Sequence, residues 1–146
     1  PGIYSYEETG RMIKLLTNDQ SQVEELYKRM MFNVLAMNQD DHVKNISFIM
    51  NKELDWRLSP AYDIGFAYNP EGNYTSKHQM TINGKQTHFT KDDFIECGKN
   101  MGITKGKANK IIESVSESIK NWNKYAEAAG VPEHKMEIIK GTYPQI

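Results

Sequence analysis

Asp40 to Asn45, DDHVKN, place two carboxylates, an imidazole, an ammonium group and an amide within six consecutive residues. A carboxylate can accept a proton from a reacting group. Carboxylate and amide oxygens are also ligands that a hard cation such as Mg²⁺ accepts. One further acid, Asp63, lies in the otherwise apolar run LSPAYDIGFA, residues 58–67. These residue types indicate proton transfer beside a metal ion.

The spacing of Asp40 and Asn45, D-x-x-x-x-N, also occurs in the catalytic loop of protein kinases. In that loop the Asp accepts the proton of the acceptor hydroxyl, and the Asn holds Mg²⁺ near the phosphates. Asp63 follows a predicted hairpin and precedes a glycine, as the second metal-binding carboxylate of a kinase does. A proton-accepting Asp, a metal-binding Asn, a hairpin and a second metal-binding carboxylate thus follow one another along the chain in the order found in kinases. This order predicts phosphoryl transfer.

Each of these residues also has a purely structural interpretation. Asp40 could cap a turn, and Asn45 could bond only to local backbone. His42 could be an ordinary loop histidine, and Asp41 is expected to be solvated. Asp63 is the hardest to explain in this way, because an acid in an apolar segment needs a partner if it is buried.

Helical patterns surround these polar segments. From Ser21 to Asn38 the apolar residues recur at helical spacing, with Ser21 as the expected cap. Thr90 and Asp93 form a capping box before another helix. Residues 104–129 are predicted as one long amphipathic helix, and Pro132 opens a last short one.

Two short hairpins are predicted as well. The first joins residues 46–50 to 55–58 across the polar turn NKEL. The second is centred on Asn83-Gly84 in QMTINGKQTHF, residues 79–89, because this dipeptide between alternating segments is a strong hairpin signal. The expected fold class is mainly α with two small β-hairpins, the helices forming a bundle around the 40–45 loop.

Length and composition indicate one globular domain of ordinary character. The net charge of −1 over 146 residues gives no whole-chain sign of nucleic-acid or membrane binding. Cys97 is the single cysteine, so no internal disulfide can form, which fits a reducing compartment such as the cytoplasm. No apolar run approaches membrane-spanning length. A group of lysines is interpreted as a solvated face: Lys99, Lys105, Lys107 and Lys110.

Three segments together resemble the C-terminal part of the HipA-type serine/threonine kinases, the toxins of bacterial toxin–antitoxin pairs. These segments are residues 32–49 (FNVLAMNQDDHVKNISFI), 58–65 (LSPAYDIG) and 79–94 (QMTINGKQTHFTKDDF). The resemblance implies a kinase-like C-terminal lobe that uses ATP and Mg²⁺. It implies Asp40 as the catalytic base, with Asn45 and Asp63 as the magnesium ligands.

The same resemblance assigns the residues around the nucleotide. Tyr62 would lie beside the nucleotide, and His42, Val43 and Lys44 would line the phosphate side together with Asn45 and Asp63. The family usually has a small residue, often Gly, directly after the catalytic Asp, whereas this chain has Asp41. That substitution would place an additional negative charge beside the phosphates.

The parts of such kinases that clamp the nucleotide belong to an N-terminal lobe, for which the residues before Ser21 offer no counterpart. We therefore expect residues 1–146 to form the C-terminal catalytic lobe with the N-terminal lobe absent. Phosphoryl transfer depends mostly on positioning and charge stabilisation. The isolated chain is accordingly expected to bind ATP weakly and to turn over little.

The resemblance also implies partners. The substrate would be a Ser or Thr of a protein, such as an aminoacyl-tRNA synthetase or a translation factor. A helix-turn-helix antitoxin would bind the kinase and bring it to operator DNA, with no role at a membrane and a cytoplasmic location.

Two other interpretations are open. One is a non-catalytic, pseudokinase-like module that binds an antitoxin or a partner subunit. The other is a metal-dependent hydrolase built on Asp40, Asp41, His42 and Asp63, for which the sequence supplies acids but only one nearby histidine.

Overall fold

The computed structural model describes residues 3–144, within which six helices and one two-stranded hairpin form. The helices are α1 (Tyr6–Thr17), α2 (Gln20–Leu35), α3 (Lys91–Asn100), α4 (Lys105–Lys120), α5 (Trp122–Ala128) and α6 (Glu133–Gly141). The antiparallel strands are β1 (Phe48–Met50) and β2 (Trp56–Leu58), with Phe48 opposite Leu58. The predicted mainly helical fold with a hairpin at this place is confirmed.

Helix α1 is the element that the sequence prediction missed, since nothing was assigned before Ser21. Ser5 caps it, because its Oγ accepts a hydrogen bond from the Glu8 N–H at 3.1 Å. Tyr6 and Ile13 are buried where α1 packs against α2. The spacing of Ser5 and Glu8 is that of a capping box and was the available signal for this helix.

Helix α2 begins slightly earlier than predicted. Asp19 rather than Ser21 is the cap, and its Oδ1 accepts a hydrogen bond from the Ser21 N–H at 2.8 Å. The helix ends at Leu35, so residues 36–42 are free to form a loop. The buried face of α2 is the centre of the core and contains Val23, Leu26, Tyr27, Met30, Met31, Val34 and Leu35.

The prediction of one long helix over residues 104–129 is wrong in one respect, because two helices, α4 and α5, form there. Asn121 lies at the division, and its Nδ2 donates to the Glu117 carbonyl at 2.9 Å. A side chain that bonds to the preceding turn competes with continuation of the helix. Ile112 and Val115 of α4 are buried in the core, whereas Tyr125 of α5 is 57% exposed.

The prediction of a second hairpin is also wrong, although the predicted turn at Asn83-Gly84 forms. Asn83 and Gly84 both have positive φ, 49° and 76°, as a two-residue hairpin turn of this type requires. The flanking Ile82 and Lys85 pair only as an isolated bridge. The strands do not extend because Thr81 pairs instead with the start of α1, accepting from the Tyr6 N–H at 3.0 Å.

Asp93 fastens this turn to α3. Its buried carboxylate accepts hydrogen bonds from Lys85 Nζ at 2.8 Å, Asn83 Nδ2 at 2.9 Å and the Thr90 N–H at 2.8 Å. Burial opposes ionisation, but the hydrogen bonds from Lys85, Thr90 and Asn83 outweigh it and hold the pKa of Asp93 well below its usual value. The predicted capping box of Thr90 and Asp93 is confirmed.

Replacing Asp93 by Asn is expected to lower the free energy of unfolding by about 2 kcal/mol at pH 7. A carboxyl group whose pKa is lowered by folding stabilises the native state above its unfolded pKa of about 4 and loses that contribution as the pH falls towards its folded pKa. The difference between wild type and variant should therefore shrink by about 1 kcal/mol between pH 5 and pH 3. Urea unfolding at each pH measures this difference in unfolding free energy. Asp92→Asn, at an exposed neighbouring position, is the control. An undiminished difference at pH 3 would contradict the assignment.

Candidate active site

The loop after α2 carries Asp40 and is joined to the loop that carries Asp63. Met37 adopts a left-handed backbone conformation, with φ of 55°, and turns the chain away from α2. The Ala67 N–H donates to the Met37 carbonyl and the Gln39 N–H donates to the Ala67 carbonyl, each at 3.0 Å. These two backbone hydrogen bonds fix the two loops side by side.

A second contact joins the loops further along. The Tyr62 hydroxyl donates to the Lys44 carbonyl at 2.9 Å. Lys44 lies in the 3₁₀ turn Val43–Asn45, so this contact places Tyr62 against the turn that carries Asn45. Tyr62 is thus held beside the turn by its own hydroxyl.

Asn45 is oriented by the loop that precedes it. Its backbone N–H donates to the His42 carbonyl at 3.0 Å, and its Nδ2 donates to the Asp40 carbonyl at 3.3 Å. Since the amide nitrogen faces Asp40, the amide oxygen Oδ1 is directed elsewhere and has no donor among residues 3–144. An oxygen in this state is available to a cation.

Asn45 and Asp63 line the same small cavity of about 30 Å³, together with His42, Tyr62 and Asp41. This volume holds one or two water-sized groups. The Nδ1 atom of His42 is buried and has no hydrogen-bond partner among the described residues. Two oxygen-bearing side chains are the type of ligand that Mg²⁺ takes in proteins, and the unpartnered His42 Nδ1 could bond to a water molecule beside them.

Asp63 lies in an exposed segment, although the run around it is apolar. Residues 60–66 are exposed rather than buried, so the carboxylate of Asp63 meets solvent and needs no protein partner. Its backbone is left-handed, with φ of 53°, a conformation that is uncommon for residues other than glycine.

Asp41 is buried, and the expectation that it is solvated is wrong. Its side chain is 0% exposed. Oδ2 accepts the Tyr6 hydroxyl at 2.8 Å and lies 2.9 Å from His78 Nδ1, and Oδ1 accepts the Gln79 N–H at 2.8 Å. The additional charge in this loop is therefore compensated inside the protein.

A chain of polar side chains continues from Asp41 into α2. The Tyr6 hydroxyl accepts from Asn33 Nδ2 at 3.1 Å, and Asn33 Oδ1 accepts from Asn38 Nδ2 at 3.0 Å. Burial, followed by the charge of Asp41, raises the pKa of Tyr6 well above its usual value, so the hydroxyl keeps its proton and serves as a donor. Tyr6 and His78 are the site residues that the sequence prediction missed. No local pattern connects either of them to Asp41.

The two acids of the loop thus have different environments. Asp40 is half-buried. Within residues 3–144 its carbonyl accepts hydrogen bonds, from the His42 N–H at 2.9 Å and from Asn45, whereas its carboxylate receives none. Of the two acids, Asp40 is the one whose carboxylate is not already bonded to other described residues.

Three predicted site residues, Asp40, Val43 and Lys44, are not part of the cavity lining. Val43 packs against the hydrophobic core. Lys44 is exposed, and only its backbone carbonyl contacts Tyr62. Neither side chain belongs to the cavity lining.

The described residues offer little to the hydrolase interpretation. No group of three or more His, Cys, Asp or Glu side chains in residues 3–144 is placed to hold a metal ion together. Asp41, one of the four proposed ligands, is already bonded to Tyr6, His78 and Gln79. In the same range, every helix is too short or too polar to cross a bilayer.

Comparison with known proteins identifies the family to which this chain is related. Residues 2–123 match the family described as the HipA-like C-terminal domain. A Haemophilus influenzae (strain ATCC 51907 / DSM 11121 / KW20 / Rd) protein named "Putative kinase" is 25% identical in an alignment of 158 positions, which covers 95% of this chain and 46% of that protein. The chain thus spans about half the length of this relative. Since the family match covers most of the sequence, the chain belongs to the HipA-like C-terminal domain family.

Proposed function

We propose that this chain supplies the catalytic base and the metal ligands for ATP- and Mg²⁺-dependent phosphoryl transfer to a Ser or Thr of a protein. The observation that carries the proposal is that Asn45 and Asp63, distant in sequence, line one small cavity. Asp40 lies outside the cavity lining, in the loop that leads to Asn45, and its carboxylate receives no hydrogen bond from the described residues. Family membership and the similarity to a protein named as a kinase support the assignment.

Each residue has a distinct role in this proposal. Asp40 accepts the proton of the attacking hydroxyl, whose oxygen forms a bond to the γ-phosphorus of ATP while the bond from that phosphorus to the bridging oxygen breaks and ADP leaves. Asn45 and Asp63 would hold Mg²⁺, which supplies neutralisation of the phosphate charge. His42 would donate to or accept from a group in the cavity through its unpartnered Nδ1.

The wider assignments belong to the same proposal. Residues 1–146 would act as the C-terminal catalytic lobe of a HipA-like kinase, working with a lobe that holds the nucleotide. The substrate would be a protein such as an aminoacyl-tRNA synthetase or a translation factor. A helix-turn-helix antitoxin would bind the kinase in the cytoplasm and connect it to operator DNA.

Titration of the ¹⁵N-labelled chain with Mn²⁺ and ATP tests the metal site. Paramagnetic Mn²⁺ broadens amide signals close to it even when binding is weak, so the signals of His42, Asn45 and Asp63 should be lost first. Asp63→Asn removes one charged ligand and is expected to raise the Mn²⁺ concentration needed by about tenfold or more. Asp55→Asn, at an exposed acid in the hairpin turn, is the matched control.

Two outcomes would count against the proposal. Broadening that is unchanged in Asp63→Asn would remove Asp63 from the site. Broadening spread evenly over the surface acids would show no metal site at all, and would favour the non-catalytic interaction module.

A further inference from the structure

The loop of residues 60–66, which carries Asp63, has few contacts of its own. It is exposed to solvent. In the part of the chain that the structure describes, no backbone N–H of this loop donates a hydrogen bond, and the Tyr62 hydroxyl makes its only side-chain hydrogen bond. The position of Asp63 therefore depends on how the two ends of the loop are held, at Ser59 and at Ala67.

The end at Ser59 is held first by the hairpin. The Ser59 N–H donates to the Ser47 carbonyl at 2.9 Å, and the Ser47 hydroxyl donates to Ser59 Oγ at 2.9 Å. These bonds extend the pairing of β1 with β2 beyond Phe48 and Leu58. They fix Ser59 relative to the hairpin, but not relative to α2, the helix that leads into the Asp40 loop.

Arg29 of α2 connects Ser59 to that helix. Its Nη2 donates to the Ser59 carbonyl at 2.8 Å. Its Nε donates to Glu25 Oε1, one turn earlier in α2, at 2.9 Å. A guanidinium group is planar, so two hydrogen bonds from different nitrogens fix its orientation. Because the Ser59 carbonyl belongs to the peptide group that joins Ser59 to Pro60, Arg29 holds the first peptide group of the loop.

Arg29 also lies beside the candidate metal site. Its side chain is 16% exposed, and it lines the small cavity together with Asn45 and Asp63. Among the described residues of the lining, Arg29 is the one Lys or Arg. Since α2 ends shortly before Asp40, Arg29 links the helix that precedes Asp40 and Asn45 to the loop that carries Asp63.

We propose that Arg29 is a positioning residue, which restricts the Asp63 loop to the placement relative to Asn45 that metal binding requires. The inference rests on the proposed function and deepens it by naming a residue that acts through the metal ligand Asp63. Mg²⁺ requires near-ideal octahedral geometry. Two ligands from separate segments therefore bind it well only when their relative placement is held within about 0.5 Å.

A lysine cannot replace Arg29 in this role. Its ammonium group carries the same charge, but it is a single nitrogen on a flexible stem. It cannot hold the Glu25 carboxylate and the Ser59 carbonyl in the fixed plane that the guanidinium group defines. Arg29→Lys therefore separates geometry from charge, because a residue that acted only through its charge would be replaced by Lys without loss.

The test applies the titration of the ¹⁵N-labelled chain with Mn²⁺ and ATP to variants of α2. Arg29→Lys and Arg29→Met should each raise the Mn²⁺ concentration at which the Asn45 and Asp63 amide signals are half lost by about tenfold. Lys28→Met is the matched control, because Lys28 is the neighbouring exposed cation, lies 4.0 Å from the same Glu25 and is absent from the cavity lining. It should titrate as the wild type does.

A second measurement is made without metal or nucleotide. The ¹⁵N order parameters of residues 61–64 report motion of the loop on the picosecond-to-nanosecond timescale. They should fall in Arg29→Lys and keep their wild-type values in Lys28→Met. A residue that touched only phosphate would leave them unchanged, since it would not hold the loop in the absence of ligand. Urea unfolding of each variant, followed by tryptophan fluorescence, shows that the titrated protein is folded.

Each contrary result identifies what fails. A wild-type midpoint of the Mn²⁺ titration in Arg29→Lys would mean that charge is sufficient, and would overturn the positioning role. A raised midpoint with unchanged order parameters would indicate direct contact with the phosphates and would overturn it as well. In both cases the metal site stands. Absence of broadening at Asn45 and Asp63 in the wild type would overturn the proposed function, and the role of Arg29 with it.

Discussion

Replacing Asp41 by Ala should lower the free energy of unfolding by about 3 kcal/mol. The change leaves the Tyr6 hydroxyl, His78 Nδ1 and the Gln79 N–H without their shared acceptor inside the protein. Asp40→Ala, one residue away, should cost about 0.5 kcal/mol or less, because Asp40 is half-exposed and its carboxylate receives no hydrogen bond from residues 3–144. Urea unfolding at pH 7, followed by tryptophan fluorescence, measures both.

A double-mutant cycle identifies the source of this effect. Tyr6→Phe removes one donor to Asp41, and its cost should be smaller when Asp41 is already Ala. The coupling free energy is expected to be about 1 kcal/mol. Equal losses of stability for Asp40→Ala and Asp41→Ala, or independent effects of Tyr6 and Asp41, would contradict the described network.

Replacing Asp40 by Asn should lower the rate of phosphotransfer by about 10²- to 10⁴-fold while the protein stays folded. The amide cannot accept the hydroxyl proton, but it has nearly the same shape, and the Asp40 carbonyl can still orient Asn45. The KM for ATP should therefore change little. The measurement is a phosphotransfer assay on protein expressed from the complete gene, with unfolding by urea in parallel.

Asp63→Asn is the comparison for this experiment. If the proposed roles are correct, Asp63→Asn weakens binding of the metal and nucleotide, whereas Asp40→Asn affects mainly the chemical step. An Asp40→Asn protein with wild-type turnover would remove Asp40 from the mechanism. It would leave Asp63 as a candidate metal ligand without an identified base.

Local patterns were sufficient for much of the fold. The capping box at Thr90 and Asp93, the apolar face of α2 and the polar turn before β2 each act over a few residues, and each gave an element in the right place. The errors arose where contacts with residues distant in the sequence determined which secondary structure formed. The second hairpin is the clearest case, because Thr81 pairs with the segment entering α1 instead of extending the turn.

The same distinction applies to the candidate site. The spacing of Asp40, Asn45 and Asp63 is visible in sequence, and the structure places Asn45 and Asp63 on one cavity. The burial of Asp41 could not be predicted, because its partners Tyr6 and His78 lie 35 and 37 residues away along the chain. Nothing in the sequence near Asp41 distinguishes it from a solvated acid.

The bonding of Asp41 to Tyr6 and His78 has a consequence for how this family diversifies. A change from Asp41 to Gly would leave buried Tyr6 and His78 without their shared acceptor. An Asp acquired at this position without Tyr6 and His78 would be a buried charge with no hydrogen-bond partner. Neither single step is neutral, so the three positions should change together over evolutionary time. Relatives with Gly at the position of Asp41 are therefore expected to lack the Tyr and His pair, and a statistical survey of relatives should find these three columns covarying.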